Sequence, residues 1–257
     1  MQEDLPGLEE LRERLMSVRR RINLSAELSG RDPDDVTLIA VSKTHPPEAL
    51  RRAIQAGATD LGENRVQEAE GKIPEVGREG VRWHLIGHLQ SNKARRAVSL
   101  FDLVHSLDSK ELALRLNRLC KDAGRDVLPV LIQVDLGGEE TKTGVSEGEL
   151  EELVRYVTGC ERLRLKGLMT LPPFFEDAEL ARPFFRKLRE LRDRYQAEGV
   201  FIDGRGELSM GMSNDFEVAI EEGATMVRVG TAIFGERRAR DKSQAPSPKS
   251  QAKESSS

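Results

Sequence analysis

The sequence predicts a single α/β domain, a parallel (β/α)8 barrel of the TIM type. Eight short runs rich in Val, Ile and Leu alternate with amphipathic stretches along the 257 residues. No two of these runs are joined by a two-residue hairpin signal, which indicates parallel strands connected by helices. The chain length suits one barrel, with two half-size domains as the alternative.

The composition excludes several classes of protein. Lys and Arg total 40 against 44 Asp and Glu, so the net charge of −4 gives no overall basic field for nucleic acid or an acidic membrane. Cys120 and Cys160 form neither a disulfide framework nor a metal-binding pattern. No apolar run approaches the ~18 to 20 residues of a membrane span. We therefore expect a cytoplasmic protein with reduced cysteines.

The N-terminal segment, residues 1–35, is expected to contribute a helix that packs on the barrel. Apolar residues recur three and four positions apart from Leu8 to Ile22, with charges between them. This spacing predicts a helix over 5–28, followed by a turn at 30–35. Ser, Lys, Gln and Pro dominate the other end of the chain, which predicts a disordered tail at 239–257.

The barrel itself is expected to span residues 36–238. Apolar and β-branched runs predict strands at 36–41, 59–64, 81–87, 102–107, 127–136, 163–169, 207–210 and 225–229. Amphipathic stretches predict helices at 46–57, 65–72, 109–124, 147–157, 177–198 and 214–222, and a further helix that Ser91 caps. The glycine-rich stretch 137–145 predicts a mobile surface loop, in which Lys142 could receive a ligand in transfer.

Lys43 lies at the end of the first predicted strand, before Pro46 and Pro47 open a helix. Chemistry in α/β proteins collects at this strand-to-helix edge. A lysine beside an apolar strand is partly desolvated, which favours a neutral amine able to attack a carbonyl and form a Schiff base. A lysine whose head simply reaches the surface is the alternative.

The loops after the last two strands have the features of a phosphate site. Gly211 allows close approach of the backbone, and Ser213 offers a hydroxyl at a helix start. Gly230 and Thr231 can present N–H groups and a hydroxyl to phosphate oxygens, while Arg228 supplies a planar cation. A plain turn and an ordinary helix cap are the alternatives for Gly230 and Ser213.

The first and last strands of a barrel are neighbours, so Lys43 and these two loops converge on one ligand with an aldehyde and a phosphate. Pyridoxal 5′-phosphate fits that description. A phosphosugar held by a Schiff-base aldolase fits it too.

Several segments together resemble the pyridoxal phosphate homeostasis protein family. They are VSKTHP, GENRVQEAEGK, WHLIGHLQSNK, HSLDS, LKGLMTLPP, LSMGMSNDFEVAIEEG and VRVGTAIFG, between residues 36 and 236. The lead-in Arg205-Gly206-Glu207 does not match the family's pattern. The resemblance implies the barrel of fold-type III enzymes such as alanine racemase, with pyridoxal 5′-phosphate bound covalently as an aldimine.

The resemblance also implies roles for individual residues. Lys43 would carry the Schiff base, and Ser213, Gly230 and Thr231 would bind the phosphate. Arg228 would face the cofactor, at either the pyridine nitrogen or the phosphate. Asn64, in the GEN motif, would line the pocket.

We expect a carrier of the vitamin B6 cofactor that acts in its homeostasis, with an amino-acid racemase as the alternative. Racemisation needs an acid and a base on opposite faces of the substrate, and Lys43 can serve only one. The two tyrosines, Tyr156 and Tyr195, lie in predicted helices far from the strand ends. We therefore expect no catalytic residue and no enzymatic activity. The expected partners are pyridoxal phosphate and the apoenzymes that use it, without nucleic acid or membrane, and the chain is expected to be monomeric.

Other candidates are interpreted more simply. His84 and His88 stand too far apart on a strand to share one metal ion, so His84 is expected inside the barrel and no metal is expected. His105 is interpreted as a packing residue. Met169 and Met210, near strand ends, could pack against the cofactor ring or belong to the core.

Overall fold

The computed structural model describes residues 5–138, 143–202 and 204–235. These residues form a closed barrel of eight parallel strands in chain order, which confirms the predicted fold class. The strands are β1 Thr37–Val41, β2 Asp60–Glu63, β3 Arg82–Leu85, β4 Leu103–Leu107, β5 Leu128–Gln133, β6 Leu163–Met169, β7 Glu207–Met212 and β8 Met226–Val229. Lys142 and the tail 239–257 lie outside the described residues.

Helices cover the outside of the barrel. They are α1 Leu8–Leu28, α2 Pro47–Gln55, α3 Val66–Val76, α4 Ala94–Leu100, α5 Lys110–Asp122, α6 Glu147–Thr158, α7 Arg182–Ala197, α8 Phe216–Glu221 and α9 Thr231–Phe234. Short 3₁₀ turns lie at Pro33–Asp35, Ser91–Lys93 and Ala178–Ala181. Ser91 begins one of these turns and does not cap α4, so that detail of the prediction is wrong.

Helix α1 packs against α2, α8 and α9 through one apolar face. Leu11, Leu15, Val18 and Ile22 are buried on that face, at the spacing that predicted the helix. Burying such side chains stabilises the fold by roughly 1.5–3 kcal/mol each. The N-terminal segment thereby joins the helical layer beside β1 and β8.

The strands separate two cores, as expected when side chains alternate between the faces of a sheet. The larger core lies between the barrel and its helices, and it includes Met210. A small apolar cluster fills part of the interior, and it includes Ile39, Met169 and Met226. Met169 therefore points inward and Met210 outward, so only Met169 can face a ligand inside the barrel.

The end of the 137–145 stretch is attached to the barrel. Val145 is buried and forms a parallel bridge with Val134, just beyond β5. The side chain of Gln133 donates to the carbonyl of Thr143 at 2.5 Å. The prediction of a mobile loop is therefore wrong for residues 143–145, and β5 ends earlier than predicted.

Both cysteines have free thiols. Cys120 is fully buried on α5, and Cys160 is half-buried just after α6. Burial raises the pKa of both thiols, which suits packing residues of low reactivity. Within the described ranges, no helix combines the length and apolar character needed to cross a membrane.

Candidate functional site

The carboxyl ends of the parallel strands form one rim of the barrel. Most of the predicted ligands follow β1, β2, β7 and β8 directly at this rim, namely Lys43, Asn64, Ser213, Gly230 and Thr231. Arg228 belongs to β8 and projects into the interior below the rim. The fold therefore places the amine and the two candidate phosphate loops at the same end of the barrel.

Lys43 sits on a tight turn between β1 and α2. Ser42 is fully buried, Lys43 is half-buried and Thr44 is exposed. Thr44 has a φ of 68°, in the left-handed region that favours glycine. Such a backbone costs on the order of 1–3 kcal/mol and persists only where its surroundings hold it.

A buried ion cluster holds this turn, and we call it the Lys72 clamp: Ser42, Glu63, Glu68 and Lys72. The Nζ atom of Lys72 lies 2.9 Å from the carbonyl oxygen of Ser42, 2.9 Å from Glu63 Oε1 and 3.2 Å from Glu68 Oε2. The hydroxyl of Ser42 donates to Glu63 at 2.7 Å. The N–H of Thr44 donates to Glu68 at 2.8 Å. The clamp therefore holds the backbone on both sides of Lys43, at Ser42 and at Thr44.

The electrostatics of the clamp depend on mutual pairing. Glu63 is 0% and Lys72 is 7% exposed, and an unpaired charge at such a position is costly. Burial raises the pKa of the Glu63 carboxyl, against the opposing effects of Lys72 and Ser42. Burial also acts to raise the pKa of Glu68, but the Thr44 N–H and Lys72 lower it overall. The clamp is a paired unit that fixes the backbone carrying Lys43.

Sequence reasoning missed the clamp, although its residues stand within the segment GENRVQEAEGK. Glu68 and Lys72 are four apart on α3 and therefore share a helix face. Only the closure of β1 against β2 shows that this face meets Ser42. The available signal was the acidic and basic spacing in that segment.

Asn64 follows β2 and packs tightly against the segment after β3. A Cβ atom at Gly87 would lie 2.3 Å from the carbonyl oxygen of Asn64, so only glycine fits there. The hydroxyl of Ser106 donates to the carbonyl of Gly87 at 2.6 Å. This packing fixes the backbone of Asn64 at the rim.

A β-bulge in β7 redirects the chain before Ser213. Ser209 pairs with Met226 and Met212 pairs with Arg228, so β7 has one extra residue over this interval. Gly211 lies in the bulge with a φ of 90°, which requires glycine. The bulge accounts for the glycine in the segment MGMS.

Ser213 meets the loop after β8. The N–H of Gly230 donates to the hydroxyl oxygen of Ser213 at 3.2 Å, while Asp215 occupies the cap position of α8. The ordinary helix-cap interpretation of Ser213 is therefore wrong. Because that oxygen accepts from Gly230, the hydroxyl hydrogen of Ser213 can be donated to a ligand.

Gly230 and Thr231 lie next to the Lys43 turn. Thr231 is exposed and begins α9, where the first N–H groups of a helix have no intrahelical acceptor. A Cβ atom at Gly230 would lie 3.4 Å from the Cβ atom of Val41, the last residue of β1. The ring of His45 stacks on Phe234 of α9 with centroids 4.7 Å apart. These contacts join the turn that bears the amine to the candidate anion loop.

Arg228 is a buried cation beneath the rim. It is 3% exposed, and it donates to Ser209 Oγ at 2.6 Å and to the carbonyl of Thr170 at 2.9 Å. Burial lowers the pKa of its guanidinium to about 10, with Asp215 opposing the shift. Arg228 is therefore charged at neutral pH.

The histidine pair separates as expected. His84 is buried inside the barrel, where it contacts Asp60 and His105, whereas exposed His88 contacts Asp108. The two rings therefore do not converge on one position. His105 has hydrogen-bond partners at both ring nitrogens, so the interpretation of a plain packing residue is incomplete.

Tyr156 and Tyr195 lie on helices, as predicted. Tyr156 is near the carboxyl end of α6, and Tyr195 is near the carboxyl end of α7. In a (β/α)8 barrel, helices run antiparallel to the strands, so these helix ends lie at the opposite end from the rim. Neither tyrosine is placed to transfer a proton at the site.

The rim residues suit pyridoxal phosphate as a group. A half-buried amine on a held turn matches an aldehyde, and N–H groups with two hydroxyls match a phosphate. Arg228 supplies a buried cation for the ring or its substituents. The chemistry of these residues therefore fits the cofactor that the sequence indicates.

Comparison with known proteins gives two kinds of relative. Residues 14–238 match the family described as alanine racemase, N-terminal domain. The chain is 47% identical to the pyridoxal phosphate homeostasis protein of Aquifex aeolicus, over 88% of this chain and 98% of the relative. It is 44% identical to the protein of the same name from Escherichia coli, over 87% of this chain and 95% of the relative.

Solved structures agree with this fold. PipY of Synechococcus elongatus, solved with pyridoxal phosphate bound, is 38% identical with a TM-score of 0.76, covering 88% of this chain and all of that one. Alanine racemase from Bartonella henselae is 18% identical with a TM-score of 0.61, covering 85% of this chain and 59% of that one. The second likeness concerns the fold alone.

Proposed function

The chain belongs to the alanine racemase N-terminal domain family and, within it, to the pyridoxal phosphate homeostasis proteins, and we propose that it binds pyridoxal 5′-phosphate on Lys43. The amine of Lys43 would hold the aldehyde end of the cofactor covalently, with loss of the aldehyde oxygen as water. The observation that carries the proposal is the joint placement of Lys43 and the Ser213 and Gly230 loops at one rim. We assign this binding to the barrel, residues 36–238.

Phosphate recognition is assigned to the loops after β7 and β8. Ser213 would donate its hydroxyl hydrogen to the phosphate. Gly230 and Thr231 would place the N–H groups at the start of α9, and the Thr231 hydroxyl, beside it. Hydrogen bonds to a charged acceptor are worth about 1.5–3 kcal/mol each, so a few suffice to hold the phosphate end. Asn64, fixed by its contact with Gly87, lines the pocket on the β2 side.

Arg228 is assigned to the pyridine nitrogen rather than to the phosphate. Its guanidinium bonds to Ser209 on β7 and to Thr170 just after β6, whereas Lys43 follows β1. The ring nitrogen of the cofactor is opposite the aldehyde-bearing carbon, so Arg228 would meet that nitrogen while Lys43 holds the aldehyde end. A cation there would keep that nitrogen unprotonated. It would thereby weaken the ring as an electron sink, which is the chemistry that the cofactor supplies when bound.

We favour a carrier that buffers and delivers the cofactor over a racemase. Racemisation needs a second acid or base facing Lys43 across the substrate, and Tyr156 and Tyr195 lie at the other end of the barrel. All the assigned ligands come from one chain, so a monomer suffices. The recipients are pyridoxal phosphate-dependent apoenzymes in the cytoplasm.

The test is covalent capture of the cofactor. Purified protein incubated with pyridoxal phosphate and then reduced with borohydride should carry the label on Lys43 by peptide mass spectrometry. Lys43→Ala should lose the label, whereas Lys121→Ala, which removes an exposed lysine of α5, should retain it. A label spread over surface lysines, or none, would contradict the proposal.

The same preparation distinguishes a carrier from a racemase. Cofactor-loaded protein incubated with a panel of L-amino acids should yield no D-isomers above the level given by free pyridoxal phosphate. Efficient formation of D-isomers that Lys43→Ala abolishes would establish the racemase instead.

A further inference from the structure

A row of buried polar side chains crosses the barrel interior below the site. Asp60, His84, His105, Ser209 and Arg228 come from β2, β3, β4, β7 and β8, and each is at most 3% exposed. Their polar atoms follow one another at 2.9 Å, 3.0 Å, 2.9 Å and 2.6 Å. We call this row the interior chain.

The interior chain runs from one end of the barrel toward the other. Asp60 begins β2 and also pairs at 2.8 Å with Arg82, whose side chain is 63% exposed. At the other end, Arg228 reaches the carbonyl of Thr170, the residue just after β6. The chain therefore links the amino-terminal end of the barrel to the floor of the candidate site.

When both histidines are neutral, the two end residues, Asp60 and Arg228, fix the direction of every hydrogen bond in the interior chain. An arginine only donates and an ionised aspartate only accepts. Arg228 therefore donates to Ser209, whose hydroxyl donates to Nδ1 of His105. Nε2 of His105 then donates to Nδ1 of His84, whose Nε2 donates to Asp60. Both rings must carry their hydrogen on Nε2.

The opposite arrangement breaks the chain. In that arrangement Nδ1 of His84 carries a hydrogen and donates it to Nε2 of His105. The hydrogen of His105 then lies on Nδ1, the nitrogen that faces Ser209. The Ser209 oxygen already accepts from Arg228, and no other described residue accepts the hydrogen of its hydroxyl. Burial lowers the pKa of His105 well below its ordinary value of 6.5, in accord with a neutral ring.

We propose that Asp60, His84, His105 and Ser209 are positioning residues, whose one-way hydrogen bonds hold the Arg228 guanidinium in fixed orientation toward the cofactor ring. This rests on the proposed function, because it concerns how Arg228 meets the bound group. Without an acceptor at Ser209, the guanidinium loses a bond of 2.6 Å and can turn within the interior. Arg228 would then no longer stay beside the ring nitrogen, and that nitrogen would be open to protonation by water.

The first experiment needs no cofactor. NMR of the ¹⁵N-labelled protein distinguishes the two tautomers and the charged form of each histidine side chain, and the sequence has four histidines to assign. The expected result at neutral pH is the Nε2–H tautomer for both His84 and His105. An Nδ1–H tautomer or a charged ring at His105 would overturn the interior chain, whatever the protein binds.

The second experiment uses Ser209→Ala loaded with pyridoxal phosphate. The variant should still bind the cofactor on Lys43, but its visible band should change with pH across neutrality, where the band of the unaltered protein stays constant. Ser25→Ala, which removes a buried hydroxyl from α1 on the outside of the barrel, should behave as the unaltered protein. If Ser209→Ala does not fold, Ser209→Cys gives the same readout, since a thiol is a weak acceptor.

The outcomes separate the two proposals. Identical spectra for Ser209→Ala and the unaltered protein at every pH would overturn the positioning role while leaving the proposed function intact. Failure of the unaltered protein to bind pyridoxal phosphate would overturn the proposed function and this role with it, while the tautomers measured by NMR would still stand.

Discussion

The Nζ atom of Lys72 lies 2.9 Å from the backbone carbonyl oxygen of Ser42, so a buried ammonium on α3 is bonded to the residue just before Lys43. The same ammonium pairs with Glu63 and Glu68, and Glu68 accepts the N–H of Thr44. Lys72 thus helps to position the turn that carries Lys43. Its charge is balanced inside the clamp by the two glutamates.

Replacing Lys72 should destabilise the protein and weaken cofactor binding together. Lys72→Met leaves Glu63 buried without its countercharge, which costs about 3–5 kcal/mol. The Thr44 turn then loses part of the support that holds its left-handed backbone. Urea unfolding of the cofactor-free protein and dialysis against pyridoxal phosphate measure the two effects.

A double variant tests the physical cause. Adding Glu63→Gln to Lys72→Met removes the unpaired charge and should recover part of the lost free energy of unfolding, but not the cofactor binding. Lys121→Met, on the exposed face of α5, should change neither quantity. A loss below about 1 kcal/mol with unchanged binding in Lys72→Met would contradict the clamp.

Two glycine substitutions should have opposite effects on stability. A Cβ atom at Gly87 would lie 2.3 Å from the carbonyl oxygen of Asn64, so Gly87→Ala must displace the backbone and lower the free energy of unfolding. Gly148 lies in α6 with open space around it, so Gly148→Ala should stabilise by about 0.5–1 kcal/mol. Thermal unfolding of both variants checks the pair, and a Gly87→Ala protein as stable as the parent would contradict this packing.

Stability should fall as the pH drops below 6.5, in part because of His105. Burial lowers the pKa of this ring well below its ordinary value of 6.5. Above pH 6.5 the ring is neutral in the folded and unfolded states, so it adds no pH dependence. Below pH 6.5 the unfolded chain binds a proton that the folded protein does not, which costs about 1.4 kcal/mol per pH unit.

Urea unfolding at several pH values measures that slope. His105→Gln should be less stable throughout, because it interrupts the contacts with His84 and Ser209, but its stability should fall less steeply in acid. His88→Gln, which removes an exposed imidazole, should keep most of the original slope. Equal slopes for His105→Gln and the parent would contradict the neutral buried ring.

The sequence predicted the fold because its signals are local. The strand at Leu163–Met169 has the bounds that its apolar run indicated, and α1 buries the face that its spacing indicated. Strand ends were less accurate: β7 runs on to Met212, because Gly211 bulges rather than ends the strand. In a sequence, a glycine at such a position is equally compatible with a β-bulge and with the end of a strand.

The supports of the site were harder to predict because they depend on which strands meet. His105 bonds to Ser209 across 104 residues of sequence, and no spacing along the chain indicates that contact. Lys43 stood out because its surroundings are apolar, whereas Lys72 lies in a polar helix that resembles a solvated surface. Charged residues on such helices become informative only once the barrel is closed.

The loops after β7 and β8 lead to the most selective prediction, which compares two ligands. Ser213→Ala removes the hydroxyl assigned to the phosphate, and it should weaken pyridoxal phosphate binding by about 10-fold or more. Pyridoxal lacks the phosphate, so its capture by Lys43 should be the same in the variant and the parent. Ser99→Ala, which removes an exposed hydroxyl from α4, is the matched control for both ligands.

The comparison identifies which end of the ligand Ser213 meets. Equal losses for both ligands would mean that Ser213 shapes the Lys43 turn, and no loss for either would remove it from the site. The Gly230 N–H loses its acceptor in the variant, but Gly230 borders solvent at the rim, so water can replace the hydroxyl. Stability should therefore change by less than about 1 kcal/mol, which leaves a selective loss of pyridoxal phosphate attributable to the phosphate contact.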